Sequence, residues 1–432
     1  MRVLLPSETP TWRRVWESAT RLSELRGYGE IVTPILEPAE LFQRGVGAGT
    51  DVVDKEMYAF EDAGGRAIAL RPEATASTVR AYFETGLHQA PQPVRLQYQG
   101  PMFRHDKPQK GRYRQFFQYG VEAIGDGSPL LDVEVIELAH AWLVDCGIEG
   151  AGLEVNSIGD EVCRPAYREK LRDYYRPHLP DLCDDDRRRF EINPMRLLDC
   201  KKPGCQRFKA GAPVPVDNLC GPCAEHHGAV LAGLDGLGVS YRPNPHLVRG
   251  LDYYTRTAFE FWDMGHGGAQ NAYGGGGRYD GLADVMGFAS TPGVGFAMGV
   301  DRVVLALQES GAAVAPPRPD AYVVWTAPSA PAAAEEPPTE GLKSSMYGAE
   351  QRAALGIAAT LRTAGFAVTL DPGGRSMKAQ MRQAERSGAA LALILGDDEF
   401  AQSEVTLRHM VRHEQERVSV ADLPAAVARV LR

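Results

Sequence analysis

The sequence predicts an α+β chain in three parts: a main body of helices and antiparallel hairpins, a region of different texture that gathers cysteines, and a small α/β domain at the end. Three observations carry this. Residues Tyr98 to Glu122 read as two aromatic-rich runs, YQGPMFR and RQFFQYGVEAI, around a charged tip containing Pro and Gly, which is the signature of a hairpin with a long loop. Between residues 147 and 244 the texture changes and four cysteines cluster. From Ala321 onward short apolar runs alternate with helical patterns, as in a small α/β unit. A length of 432 residues suits about three domains at ~150 residues each.

Composition narrows the function classes. Lys plus Arg number 47 against 56 Asp plus Glu, for a net charge of −9, so any nucleic-acid binding has to be local rather than global. No apolar run approaches the ~18 residues of a membrane span, and MRVLLPSETPTWRR lacks the layout of a signal peptide. A soluble cytoplasmic protein without membrane contact is expected. Its seven cysteines then read as thiols or metal ligands rather than a disulfide frame.

In chain order, residues 11–26 have the apolar spacing of an amphipathic helix, and YGEIVTPILEP is extended and broken by Pro34 and Pro38. A short helix at 39–43 precedes the Gly-rich RGVGAGTDVV. YAFEDAGGRAIALRPE predicts two strands around a GG turn. Pro72 can open a helix, because its missing N–H is not needed there, placing Glu73 and Thr75 in the first turn, where helix capping is the plain alternative to ligand binding. In the central hairpin, strand alternation puts Arg112, Arg114, Phe116, Gln118 and Glu122 on one side and Phe117, Tyr119 and Val121 on the other. The tip holds Arg104, Lys107, Lys110, Arg112 and Arg114 against Asp106, a composition suited to a polyphosphate or a nucleic-acid backbone, or simply to a solvated loop. SPLLDVEVIELAHAWLVDCG then follows the helical period.

Residues 147–244 begin with a strand, LEVNSIG, and a charged helix, PAYREKLRDYY. Cys200, Cys205, Cys220 and Cys223 follow in the pattern CxxxxC, fourteen residues, CxxC. That spacing is compatible with one tetrahedral structural zinc, with His226 or His227 as spare ligands, and equally with four reduced thiols. Further on, Arg249 stands at a strand entrance beside Tyr253 and Tyr254, a pair that core packing alone could explain. The glycines of AYGGGGRYDGL suit either a flexible turn or a close backbone approach to a ligand. VGFAMG reads as a strand and VDRVVLALQES as a helix with Val300, Val303, Val304 and Leu307 on one stripe. Arg302 lies off that stripe in the first turn, where a cation gains nothing from the helix dipole, which points to an anionic ligand shared with the helix end. Residues 313–320 read as a linker. Within the last domain, 327–345 is a Pro/Ala/Glu-rich segment to which no function attaches.

Taken together these segments resemble the histidyl-tRNA synthetases, a class II aminoacyl-tRNA synthetase family, over nearly the whole chain. TPILEPAELFQR resembles the first class II motif, FRHDKPQKGRYRQF the second and GVGFAMGVDRVVLAL the third, while RPEATAS, LVRGLDYYTRTAFE and GGGGRYDGL resemble the histidine-specific segments. The resemblance implies a class II catalytic domain at 1–146 and 245–312, built on an antiparallel sheet with flanking helices. It also implies an insertion at 147–244 that approaches the tRNA acceptor stem, an anticodon-binding domain at 321–432, and a homodimer formed through the first motif.

The chemistry implied is ATP-dependent activation of L-histidine to the adenylate, with Mg²⁺ on the β- and γ-phosphates, then transfer to the 3′ end of tRNA(His). Arg104 and Arg249 are implied as catalytic residues gripping carboxylate and α-phosphate. Glu73, Ala74, Thr75, Arg104, Gln118, Glu122, Arg249, Tyr253, Tyr254 and Tyr279 are implied for histidine, with Glu122 and Tyr254 reading the imidazole nitrogens. Arg104, Asp106, Arg112, Phe116 and Arg302 are implied for ATP, and the tip around Lys107 and Lys110 for the acceptor end of tRNA. Non-catalytic paralogues that regulate histidine biosynthesis typically lose the substrate arginines and the end domain. Here both are present.

Overall fold

A computed structural model describes residues 2–47, 50–106, 110–264, 272–326 and 348–431. The expectations for Lys107 and for 327–345 therefore fall outside the described residues. The chain forms two compact units, Met1–Ala315 and Pro316–Arg432.

In the first unit the interior six strands of an eight-stranded sheet run antiparallel, in the order Val94–Phe103, Gln115–Ile124, Gly293–Gly299, Ala272–Arg278, Thr255–Asp263 and Ala151–Ser157. Two-residue strands, Gly29–Glu30 and Arg242–Pro243, join the two edges in parallel. One face is covered by the helices Thr9–Glu24, Pro129–Cys146, Gly221–Gly236 and Val300–Glu309, with Tyr119, Trp142, Phe259, Phe261 and Phe296 among the core residues. The stripe Val300, Val303, Val304 and Leu307 is fully buried there. The Pro129–Cys146 helix starts as its sequence dictates: the Ser128 hydroxyl accepts from the Leu130 N–H, Pro129 supplies a fixed φ, and Gly147 at φ +94° ends it, each meeting an end that the helix cannot satisfy itself.

Two expectations are corrected by this sheet. The glycines 274–277 are no turn: they lie in the Ala272–Arg278 strand, at the centre of the sheet. A Cβ at Gly275 would meet Phe259 O at 2.3 Å and Arg249 Nη1 at 3.0 Å, so the missing side chain gives room to a neighbouring strand and to the cavity below. Arg112 and Arg114 lie before the Gln115–Ile124 strand, so strand alternation does not reach them. The strands Ala151–Ser157 and Arg242–Pro243 also belong to the main sheet.

Strand Ala272–Arg278 is tied to the covering helices by a buried ion pair missed in the sequence. Arg278 Nε donates to Asp132 Oδ2 at 3.1 Å, and both side chains are fully buried. His226 Nε2 lies 3.2 Å from Asp132 Oδ1, so this histidine serves the core. A smaller sheet of Leu36–Pro38, Tyr58–Glu61 and Ala67–Leu70 is antiparallel, with the expected hairpin at its edge.

In the second unit the order is Val368–Leu370, Ala321–Trp325, Leu391–Leu395, Glu404–His409 and Gln415–Ser419. The first three strands run parallel and the last two antiparallel, with helices Ala349–Thr363, Met377–Ser387 and Leu423–Leu431 packed around the sheet. Gln415–Ser419 and the final helix were not read from the sequence. No described helix is long and apolar enough to cross a membrane.

Candidate active site

The opposite face of the large sheet floors a cavity of about 300 Å³. Strand parity chooses which side chains reach it: Phe116 and Gln118 on one strand, Glu260 and Trp262 on another, Ala297 and Gly299 on a third, each pair two residues apart and so on one face. Register aligns them, with Gln118 opposite Gly299 and Gly275 opposite both Ala297 and Glu260. Their odd-numbered neighbour Tyr119 points the other way, into the core.

Among the described residues, five cations line the wall, Arg104, Arg112, Lys201, Arg249 and Arg302, against three carboxylates, Glu73, Asp106 and Glu260. Each arginine is positioned by the protein. Arg104 donates through Nε to Pro72 O at 2.9 Å and lies 5.4 Å from the centre of the Phe116 ring. Arg112 pairs with Asp106 at 3.0 Å, so this aspartate orients a cation. Arg302 Nη1 donates to Ala272 O at 2.8 Å; burial lowers its pKa, with Arg112 adding like-charge repulsion. Arg249 Nη1 pairs with Glu260 Oε1 at 2.9 Å, and the guanidinium Cζ lies 5.7 Å from the Tyr254 ring centre. Burial opposes the Arg249 charge, yet Glu260 beside it holds the pKa above the ordinary arginine value.

Among the described residues, three buried polar atoms of this wall lack a hydrogen-bond partner: Arg249 Nε, Gln118 Oε1 and Trp262 Nε1. A buried donor or acceptor left unmade costs about 1–3 kcal/mol, so a polar ligand in the cavity is what these atoms are arranged for.

Behind the wall lies a carboxylate network. Glu73 is outside the helix, which begins at Thr75; its carboxylate accepts from the Thr75 and Ala76 N–H groups at 2.7 and 3.0 Å, so the capping role is real and coexists with its place in the cavity. Ala74 is fully buried at the N-cap position. Thr75 Oγ1 donates to Glu122 Oε1 at 2.7 Å, Tyr98 OH to the same oxygen at 3.3 Å, and Tyr279 OH to Oε2. Burial pushes the Glu122 carboxyl up to about 8 despite those donors. Gly295, opposite Glu122 in the sheet, makes the space: a Cβ there would meet Glu122 Oε2 at 1.9 Å.

The structure thus gathers Glu73, Thr75, Arg104, Asp106, Arg112, Phe116, Gln118, Arg249, Tyr253, Tyr254 and Arg302 on one cavity. Ala74, Glu122 and Tyr279 are not among the residues of its wall. Lys201, Glu260, Trp262 and Tyr113 were missed. Glu260 and Trp262 carried a strand-parity signal relative to each other but none relative to Phe116 and Gln118, and nothing local marked Lys201. Lys110, expected at the tip, is exposed and paired with Glu309.

The single zinc site is corrected. Cys200 and Cys205 converge with Cys183 and Asp186, whereas Cys220 and Cys223 converge with Asp160 and Cys163. Neither group includes His226 or His227. The chain brings each pair to a different helix start, so one ion cannot serve all four cysteines.

A family model described as histidyl-tRNA synthetase matches residues 1–166 and 223–303, and one described as anticodon binding domain matches 341–429. A histidine–tRNA ligase of Desulforudis audaxviator is 48% identical over 97% of this chain and 95% of its own length. One of Rhodococcus erythropolis is 47% identical over 96% and 93%. The crystal structure of an apo histidyl-tRNA synthetase of S. aureus superposes with a TM-score of 0.79 at 33% identity, covering 99% of this chain and 98% of the other.

Proposed function

The chain belongs to the histidyl-tRNA synthetase family, and from that premise we propose how its own residues carry the two steps. The enzyme activates histidine with ATP and transfers it to tRNA(His). Activation brings an anionic carboxylate to an anionic α-phosphate, so the barrier is largely electrostatic, and fixed cations around a preorganised cavity lower it. The observation that carries the reading is the convergence of Arg104, Arg112, Arg249 and Arg302, from four separate segments, on one cavity.

Arg104 and Arg249 approach the reacting carboxylate and α-phosphate, Arg249 with its direction set by Glu260 and with Nε free to donate. Arg112, oriented by Asp106, and Arg302 take the remaining phosphate oxygens, and Phe116 offers its ring to adenine. ATP enters with Mg²⁺. The wall carboxylates Asp106 and Glu260 are each tied to an arginine, so the fit is to an ion coordinated mainly by phosphates, as Mg²⁺ prefers. When bound, the ion neutralises the β- and γ-phosphates.

Glu73, Thr75 and Gln118 supply acceptors for the substrate ammonium. Tyr254 at the wall and Glu122 behind Thr75 are the pair for the imidazole nitrogens, with Ala74, Tyr253 and Tyr279 shaping the pocket around them. Glu122 already accepts from Thr75, Tyr98 and Tyr279, so it reads the ring where an imidazole N–H replaces one of those donors. Zinc takes a structural rather than a catalytic place. Homodimerisation accounts for the exposed apolar side chains Val32, Ile35, Leu36 and Phe60 in and beside the first-motif segment. A cytoplasmic location and contact of the hairpin tip with the acceptor end complete the proposal.

Histidine-dependent pyrophosphate exchange into ATP tests the site. Arg249→Ala is expected to lower it at least about 10²-fold in protein that circular dichroism shows to be folded. Exchange at the parent rate would remove Arg249 from the mechanism.

A further inference from the structure

We propose that this chain binds two zinc ions, one at Asp160, Cys163, Cys220 and Cys223 and one at Cys183, Asp186, Cys200 and Cys205, and that the ions fix the segments carrying Tyr254 and Lys201. Within each group the four donor atoms lie within 4.8 Å of one another, close to the spread that four zinc bonds of about 2.0–2.3 Å create. Three thiolates and one carboxylate suit zinc, whereas magnesium and calcium prefer oxygen alone.

The local chain is shaped as a ligand frame. Asp160-x-x-Cys163 precedes the Arg164–Tyr175 helix, Cys220-x-x-Cys223 opens Gly221–Gly236, and Cys183-x-x-Asp186 opens Asp184–Ile192. Backbone N–H groups already aim at sulfur: Asp160 N to Cys163 Sγ and Cys183 N to Cys205 Sγ, each at 3.3 Å, bonds that favour thiolate. Asp186 is fully buried; its Oδ1 accepts from Arg189 at 3.1 Å, while Oδ2 has no hydrogen-bond partner. An orphaned oxygen in the interior is costly, and coordination would satisfy it. Cations stand beside both groups, with Arg256 Nη2 3.5 Å from Asp160 Oδ2 and Arg189 on Asp186.

Both groups reach the cavity through one residue. Arg164, next to Cys163, donates through Nη1 to Tyr254 O at 2.9 Å, and Lys201, next to Cys200, lines the cavity wall. Each ion binds with release of three thiol protons and no change of oxidation state.

Zinc content of the full chain, purified without chelator from zinc-replete cells, is the test. About two equivalents per chain are expected, and a mercurial thiol reagent should release them together with modification of six cysteines, leaving the buried Cys146. The double variant Cys163→Ser/Cys223→Ser should lose one equivalent and raise KM for histidine severalfold. The double variant Cys183→Ser/Cys200→Ser should lose the other and raise KM for ATP. Wild-type protein with less than about 0.2 equivalent, its thiols free or in disulfides, overturns the proposal whether or not the variants fold. One equivalent overturns whichever site's variant retains it, and unchanged KM in depleted variants overturns the positioning role.

Discussion

The sheet-borne wall of the cavity and the cysteine-bearing excursion behind it position side chains by opposite means. On the sheet, Gln118, Glu260 and Ala297 are placed by backbone register, and every strand holds its neighbour through hydrogen bonds and a continuous core. In the excursion, Lys201 hangs on a short turn near helices of 4 to 16 residues, with Cys200 and Cys205 in an apolar cluster shared with Tyr253, Tyr254 and Tyr279. A sheet carries its geometry in the backbone, whereas a region of short helices needs side-chain staples. The two should therefore fail differently.

The largest effect should come from cutting the sheet from its helices. Asp132→Ala leaves the buried Arg278 to Asp280 at 3.1 Å and to the carbonyls of Asp126 and Ser128, so global stability by denaturant titration should fall by up to about 3–5 kcal/mol; a loss below about 1 kcal/mol would show that those remaining partners suffice. Arg104→Ala should separate the regions more sharply: adenylate formation should drop about 10²–10³-fold, while zinc content and the denaturation midpoint hold. A parallel loss of zinc would mean that wall and excursion are one cooperative structure.

The smallest effect concerns pH. Glu122 titrates near 8 in the fold, above the ordinary glutamate value near 4.5, so the folded state retains a proton that the unfolded chain has released. Stability is then fullest below pH 4.5 on this account and is lost as pH rises through about 8. Glu122→Gln should flatten that slope by about 2–3 kcal/mol between pH 5 and 8, read by chemical denaturation at the two pH values. Asp301, raised to about 6 by burial, contributes in the same direction and should persist in the variant.

The difference between the regions also explains what was legible in the sequence. Arg104, Phe116 and Gln118 lie in or beside one hairpin whose alternation and turn are local signals, and Arg249 and Arg302 sit in segments with their own punctuation. Glu260 and Lys201 reach the cavity only because of strand order and chain return, which no local pattern encodes. The glycines 274–277 were ambiguous for a related reason: a glycine run reads as a turn until neighbouring strands are known to press on both sides of it. In the excursion, spacing revealed Cys200, Cys205, Cys220 and Cys223 but not their grouping, because Cys163 and Cys183 stand alone in sequence. Their mirrored Asp-x-x-Cys and Cys-x-x-Asp spacings were the available signal.

The central claim is that this one cavity selects histidine and joins it to AMP. Amino-acid-dependent exchange of labelled pyrophosphate into ATP, run with each of the twenty amino acids on the full chain, addresses it most directly. Exchange with histidine alone is the predicted result; exchange with another amino acid at a comparable rate, or none with histidine, would contradict it.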